Sequence, residues 1–236
     1  MFRASPRHGG AVGRRRRSTT ILVLVVLGAL LLGACEPERP SDGRGTPVRR
    51  VLVVGDSITF GIFGTTPTIR PALLERMGAR GIATRIVGFP GNNLLEPWEG
   101  QPSYADEVRF HVASFDPDMV VIQSIAFPQG ADPARQQAYV RAATEVIRLA
   151  RARGAHVYIV SHHDPRDPVI RQQKQIAEFI QGAVAGPGVS KIPLDWWMSN
   201  CRQPTGSDGW HLSASGQECH AAAVTAAVDQ LRGRNG

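Results

Sequence analysis

Past residue 47 the chain alternates short, uninterrupted apolar runs with longer stretches in which apolar positions recur every three or four residues. The first run, 48–54, is rich in β-branched residues and stops at Gly55. That is the pattern of a central parallel strand, which is covered on both faces and needs no polar side. Runs at 83–87, 118–125 and 156–160, with a weaker one at 189–194, predict four more strands. Helical spacing fills the intervals. At 71–80 it falls on Leu73, Leu74 and Met77 and ends at Gly81. Further helices are predicted at 103–113, 133–153 and 168–184. The second of these is the most regular, with Tyr139, Val140, Ala143, Val146, Ile147 and Ala150 on one face and Arg141, Glu145, Arg148 and Arg151 on the other. A last helix runs to Leu231 from Ser213 or Ser215; Ser215 and Glu218 have capping-box spacing, and Ser213 is the alternative cap. Regular alternation of strand and helix, with no internal repeat, predicts one α/β domain over 48–236, a three-layer α/β/α sandwich on a parallel five-stranded sheet.

The segment before this domain has another character. Arg14 to Arg17 form a basic run, Ile21 to Leu32 an apolar stretch too short for a comfortable membrane span, and small residues follow. Residues 1–34 therefore read as an export signal and stand outside the fold. Leu32-Gly33-Ala34-Cys35 resembles a bacterial lipobox, which implies that Cys35 is lipidated and becomes the mature N-terminus; the alternative is an ordinary secretory peptide that ends near a cysteine. Residues 35–47, rich in Pro, Gly and charged side chains, read as a flexible tether between lipid and domain. The expected location is the extracytoplasmic face of the cell membrane.

Charge changes meaning once this segment is set apart. Residues 1–34 contain six arginines and no acidic residue, so without them the formal charge falls from +7 to +1. The high pI belongs to the leader and gives no case for nucleic acid as a partner. Cysteine usage agrees with export, since Cys201 and Cys219 remain as an even pair in a compartment that permits oxidation. They bracket Asp208 and His211, so a disulfide there restrains the loop that carries both. No CxxC or HExxH spacing suggests zinc, and no cofactor is expected.

In such sheets ligands bind beyond the carboxyl ends of the strands, where Ser57, Gly91, the segment after Ile125 and His162 to Asp164 all fall. Ser57 and His211 can supply a nucleophile and the base that activates it, and Asp208, three residues before the histidine, can fix the imidazole tautomer. The Gly-x-Ser-x-Gly elbow is absent, because Thr59 stands two residues after Ser57.

Gly55-Asp56-Ser57-Ile58-Thr59 resembles the first block of the GDSL, or SGNH, hydrolase superfamily, and Asp208-Gly209-Trp210-His211-Leu212 resembles its last. The resemblance spans most of the chain after the leader. It implies a flavodoxin-like fold and a serine esterase with Ser57 as nucleophile, His211 as base and Asp208 as the group that orients it. It also implies an oxyanion hole from the Ser57 amide and Gly91, in Phe89-Pro90-Gly91-Asn92-Asn93. The family's third block, Gly-x-Asn-Asp, is missing: after Val120-Val121-Ile122 the chain reads Gln123-Ser124-Ile125-Ala126-Phe127-Pro128. Asn92, Asn93 and Gln123 are the candidates for the absent third donor.

The reading that follows is an exported esterase acting through an acyl-enzyme on an O-acylated carbohydrate or similar ester, as a monomer anchored by its N-terminal lipid. Two alternatives are an O-acyltransferase that passes the acyl group to a cell-surface polysaccharide, and an envelope binding protein without turnover. His162-His163-Asp164 is read as loop polarity or pocket lining and not as a metal site. His111, His156 and His220 sit in helix or strand contexts and need no function. Trp98, Trp196, Trp197 and Trp210 are candidates for sugar stacking or for packing.

Overall fold

The computed structural model describes residues 47–61, 66–88, 90–91, 94–95, 97, 100–123, 132–161, 163, 178 and 182–234. The leader, the tether with Cys35, and nearly all of the helix expected at 168–184 lie outside these residues. Five strands, β1 (Arg50–Gly55), β2 (Ala83–Gly88), β3 (Met119–Gln123), β4 (His156–Val160) and β5 (Val189–Ile192), form one sheet in the order β2-β1-β3-β4-β5. Every pairing is parallel. The helices are α1 (Ser57–Phe60), α2 (Arg70–Gly78), α3 (Tyr104–Phe115), α4 (Pro133–Arg151), α5 (Leu194–Ser199) and α6 (Ala214–Arg234).

The inner strands β1, β3 and β4 read as apolar runs because each face has its own cover. Val51 and Val53 of β1, Met119 and Val121 of β3, and Tyr158 and Val160 of β4 pack with Leu73 and Met77 of α2 and with Val224, Val228 and Leu231 of α6. The alternate residues, Leu52, Val54, Val120, Ile122, Val157 and Ile159, pack with Tyr104, Val108 and Val112 of α3 and with Tyr139, Val146 and Ala150 of α4. Period-two alternation thus splits each strand between two apolar cores, which makes the domain three layers thick. At roughly 25 cal/mol per Å² of apolar area, these layers supply the main favourable term of folding.

Local chemistry sets the helix starts. Ser103 accepts from the Asp106 amide to begin α3, and Asp132 accepts from the Arg135 amide ahead of Pro133 to begin α4. At α6 the cap is Ser213, whose Oγ accepts from the Gly216 amide at 3.1 Å. The Ser215–Glu218 box is not formed, and Glu218 instead faces Arg76 of α2 at 3.3 Å. Two short helices, α1 and α5, were not expected from periodicity, which four to six residues are too few to display.

Chain order and sheet order together place the functional rim. From β1 the chain crosses first to β2 on one side and then to β3 on the other, so the connections leaving the paired ends of β1 and β3 part to different sides. That parting is the topological switch point where open α/β sheets take ligands. Ser57 stands two residues past the end of β1, beside it.

Candidate active site

Ser57 is the first residue of α1, and its position is fixed by the residue before it. Asp56 is buried, has extended backbone angles, and accepts from the Ile58 amide through Oδ1 at 2.9 Å. Its carbonyl receives the amides of Thr59 and Phe60 at 3.1 and 3.0 Å. The aspartate of the Gly-Asp-Ser block is therefore an N-cap that turns the chain at once from strand to helix. Gly88, paired with Gly55 in the β1–β2 ladder, has φ of +133°, and a Cβ there would lie 1.8 Å from the Gly55 carbonyl. No other residue type fits this approach. On the opposite face the buried Tyr104 hydroxyl donates to the Val54 carbonyl at 2.9 Å and makes a longer contact of 3.4 Å with that of Gln123. Burial first and Asp56 second hold the Tyr104 phenol well above its ordinary pKa, so it remains a donor.

The acid and base come from the loop between α5 and α6. The Cys201–Cys219 disulfide closes this loop, with Cα atoms 6.4 Å apart. Within it Thr205 and Leu212 form an antiparallel bridge, and the Gly206 amide donates to the His211 carbonyl at 2.8 Å. Asp208 Oδ1 accepts from the amides of Trp210 and His211 at 2.9 and 3.0 Å, and Oδ2 lies 2.7 Å from His211 Nδ1. Burial pushes the Asp208 carboxyl up, and those amides together with the His211 ring outweigh it, so the net pKa lies below the usual carboxylate value. An ionised Asp208 requires the proton on His211 Nδ1. That leaves the Nε2 lone pair facing Ser57 Oγ at 3.0 Å. Nucleophile, base and orienting acid thus form one hydrogen-bonded chain, although Ser57 and His211 are 154 positions apart in sequence.

Two further contacts tie this arrangement to the fold. Gln217 of α6 donates through Nε2 to the Ile58 carbonyl at 2.6 Å and the Pro67 carbonyl at 3.1 Å, joining the helix that follows the base to the helix that carries the nucleophile. His163, read from sequence as loop polarity or pocket lining, is only 1% exposed, and its Nε2 lies 2.7 Å from the Trp210 carbonyl. Neither role is visible in sequence, since each depends on a backbone carbonyl distant along the chain.

Of the oxyanion candidates besides Ser57, Gly91 and Gln123 are among the described residues. Gly91 is exposed in a turn with φ of +79°, a conformation open chiefly to glycine, with no Cβ beside its amide. Gln123 ends β3 opposite Gly55 and is fully buried, with neither its Nε2 nor its Oε1 partnered. Asn92 and Asn93 lie outside the described residues, as do Trp98, His162 and Asp164. Among the described residues no three His, Cys, Asp or Glu side chains are grouped to hold a metal ion. Trp197 and Trp210 pack against the core, whereas Trp196 on α5 is 60% exposed.

Solved structures of several hydrolases share this fold. A family 3 carbohydrate esterase of Clostridium thermocellum matches over 81% of this chain and 100% of its own, at 19% identity and a TM-score of 0.57. A family two carbohydrate esterase from the same organism, solved in complex with cellohexaose, matches over 80% and 66% at 16% identity and a TM-score of 0.56. A GDSL-like lipase of Bacteroides thetaiotaomicron matches over 87% and 97% at 16% identity and a TM-score of 0.51. No curated protein sequence matches the chain. The model of the GDSL-like Lipase/Acylhydrolase family matches residues 53–219, a span that starts in β1 and ends at Cys219 and so takes in Ser57, Asp208 and His211. The chain belongs to that family and is a GDSL/SGNH-type hydrolase of the esterase and acylhydrolase class.

Proposed function

We propose that this hydrolase cleaves a short O-acyl ester carried on an envelope carbohydrate, through an acyl-enzyme on Ser57. The observation that carries the reading is the unbroken chain Asp208–His211–Ser57, with spacings of 2.7 and 3.0 Å. Ser57 Oγ attacks the ester carbonyl carbon while His211 Nε2 takes its proton. The tetrahedral oxyanion faces the Ser57 and Gly91 amides; fixed donors of this kind are each worth about 3 to 4 kcal/mol on removal. Collapse breaks the bond to the alcohol oxygen, which leaves with the proton from His211. Water, deprotonated by His211, then attacks the acyl-enzyme; the bond to Ser57 Oγ breaks, Oγ takes the proton back from His211, and the carboxylic acid leaves.

A carbohydrate substrate is supported by the neighbours described as carbohydrate esterases and by the exposed face of Trp196 on α5, which follows the carboxyl end of β5. Export with a lipid on Cys35, and 35–47 as tether, remain part of the proposal. The disulfide supports an oxidising compartment. The missing third-block asparagine supports turnover on activated esters slower than in relatives that have it, with Gln123, Asn92 or Asn93 as the replacement donor. It also keeps acyl transfer to a sugar hydroxyl as the second reading, since transfer and hydrolysis share the acyl-enzyme.

The test uses the full-length protein with a short activated ester and a serine-directed fluorophosphonate. Wild type should turn over the ester and be labelled on Ser57. Ser57→Ala and His211→Ala should each lose on the order of 10⁴- to 10⁶-fold in kcat, and Asp208→Asn about 10⁴-fold because the wrong imidazole tautomer is favoured. Unchanged turnover in Ser57→Ala would overturn the assignment. Released acid identifies hydrolysis, whereas an acylated sugar acceptor identifies transfer.

A further inference from the structure

We infer that His163 is a positioning residue for the esterase reaction: its Nε2–H holds the Trp210 carbonyl and thereby orients the peptide that carries His211 into the site. This rests on the reading of Ser57 and His211 as nucleophile and base.

One planar unit joins Trp210 to His211. The Trp210 carbonyl and the His211 amide belong to the same peptide group, which cannot flex internally. Its N–H donates to Asp208 Oδ1 at 3.0 Å, and its C=O lies 2.7 Å from His163 Nε2. A carbonyl only accepts, so Nε2 is the donor. Gripped at both ends, the plane has a fixed orientation, and with it the direction in which the His211 side chain leaves the backbone. The second grip is needed because the others are local: Asp208, Thr205 and Gly206 are in the same loop as His211, and the disulfide joins that loop to the helix it runs into. His163 instead follows β4, in the rigid centre of the sheet, and so refers the base to the same sheet whose β1 delivers Ser57.

The surroundings of His163 restrict its own movement. Its ring lies 5.9 Å from that of Trp210 at an interplanar angle of 39°. His220 of α6 is fully buried and interacts with His163 electrostatically: burial first and His163 second push the His220 pKa down to about 3. A side chain with 1% exposure beside a tryptophan ring has little freedom to swing away.

The experiment compares His163→Ala with His163→Gln in the full-length protein, because a glutamine amide can offer an N–H where the imidazole Nε2–H was. Two readouts are taken: kcat and KM on a short activated ester, and hydrogen–deuterium exchange over residues 204–213. His163→Ala should lower kcat by roughly 10- to 100-fold with KM within about 3-fold, the pattern of a misdirected catalytic group. Exchange in 204–213 should quicken, and His163→Gln should restore most of both. Unchanged kcat in His163→Ala overturns the inference, even when exchange quickens, since the contact is then structural alone. Equal losses in the two variants overturn it too, because the N–H is then not the operative feature. If His163→Ala does not fold, His163→Leu, which fills the space without a donor, takes its place. A wild-type protein that neither cleaves esters nor takes the fluorophosphonate on Ser57 removes the esterase reading; exchange at 204–213 that is unaltered in the variants removes the His163 grip separately.

Discussion

Ser57 leaves the sheet two residues past a buried strand, while His211 hangs in a loop between two helices, and the two are held in place by different kinds of chemistry. On the nucleophile side the ties act on the end of a paired strand: Gly55 sits opposite Gly88 in the ladder, the Asp56 side chain caps the turn that follows, and the Tyr104 hydroxyl holds the Val54 carbonyl. On the acid–base side they are a covalent bridge and side-chain hydrogen bonds: Cys201–Cys219, Asp208 folded onto the amides of Trp210 and His211, and His163 on the Trp210 carbonyl. A strand end in a parallel sheet inherits its geometry from the ladder, and a loop must be given one. The contrast implies that the two halves fail differently. Damage to the nucleophile side should appear as loss of the fold, and damage to the acid–base side as loss of turnover from a protein that still folds.

The largest effect should therefore come from Gly88→Ala. The added methyl would sit 1.8 Å from the Gly55 carbonyl at a φ of +133°. Overpacking against backbone and a conformation foreign to alanine each cost roughly 1 to 3 kcal/mol, giving about 4 kcal/mol together. That is a large fraction of a typical domain's stability. Urea denaturation should show the midpoint fall and activity vanish with the folded population. A variant that folds as wild type yet has lost turnover would break the comparison.

The acid–base half should respond to loss of its bridge with a smaller change in stability and a direct change in rate. Removing the disulfide, by reduction or by Cys201→Ser with Cys219→Ser, should cost about 3 kcal/mol on the chain-entropy account of a loop this long. At temperatures where the reduced protein remains folded, kcat should still fall, because Asp208 and His211 lose part of their restraint. Peptide mapping without reductant should recover Cys201 linked to Cys219 from protein isolated from the cells that make it. Free thiols at both positions there, or a reduced protein with undiminished kcat, would show that the loop is set by its hydrogen bonds alone.

The same contrast explains how much could be read from the residues in order. The sheet was legible because its inner strands are covered on both faces, so 48–54 and 156–160 had no choice but to be apolar runs. The helix at 133–151 was legible because its burial is one-sided and long enough to show a period. Ser57, Asp208 and His211 stood out through short motifs whose chemistry is local: a serine after a strand, an aspartate three residues before a histidine. What could not be read were contacts that join a side chain to a distant backbone atom. Nothing near Gln217 says that it will reach the Ile58 carbonyl, 159 positions away, and nothing near His163 points to Trp210, 47 positions on. Even the cap of the last helix was ambiguous between Ser213 and Ser215, since both have the right chemistry and only the path of the preceding loop, with the Ser213 amide on the Pro204 carbonyl, selects the first. On the acid–base side the tie that refers the loop to the sheet, His163 on the Trp210 carbonyl, is of this kind, so sequence located the residues without showing how the loop is held to the sheet.

The smallest effect at neutral pH, and the one most confined to the acid–base half, concerns His220. It is buried in α6 with neither ring nitrogen hydrogen-bonded, and burial, with His163 adding to it, lowers its pKa from 6.5 to about 3. The unfolded chain takes a proton on this imidazole below about pH 6.5, and the folded chain resists until about pH 3. Between those values the unfolded state holds the extra proton, so the stability present above pH 6.5 is lost as pH falls, by up to roughly tenfold in the folding constant per pH unit. Asp208 acts in the same direction, but only from its ordinary carboxylate range downward, because its folded pKa is also depressed. The interval from pH 6.5 to 4.5 therefore isolates His220 from Asp208. His220→Leu replaces an unpartnered buried imidazole with an apolar side chain, so at pH 7.5 it should be neutral or stabilising by about 1 kcal/mol. Its larger signature is a flatter denaturation midpoint between pH 6.5 and 4.5, read from urea melts at half-unit steps. A His220→Leu protein that loses stability with falling pH as steeply as wild type would show that the acid sensitivity lies elsewhere.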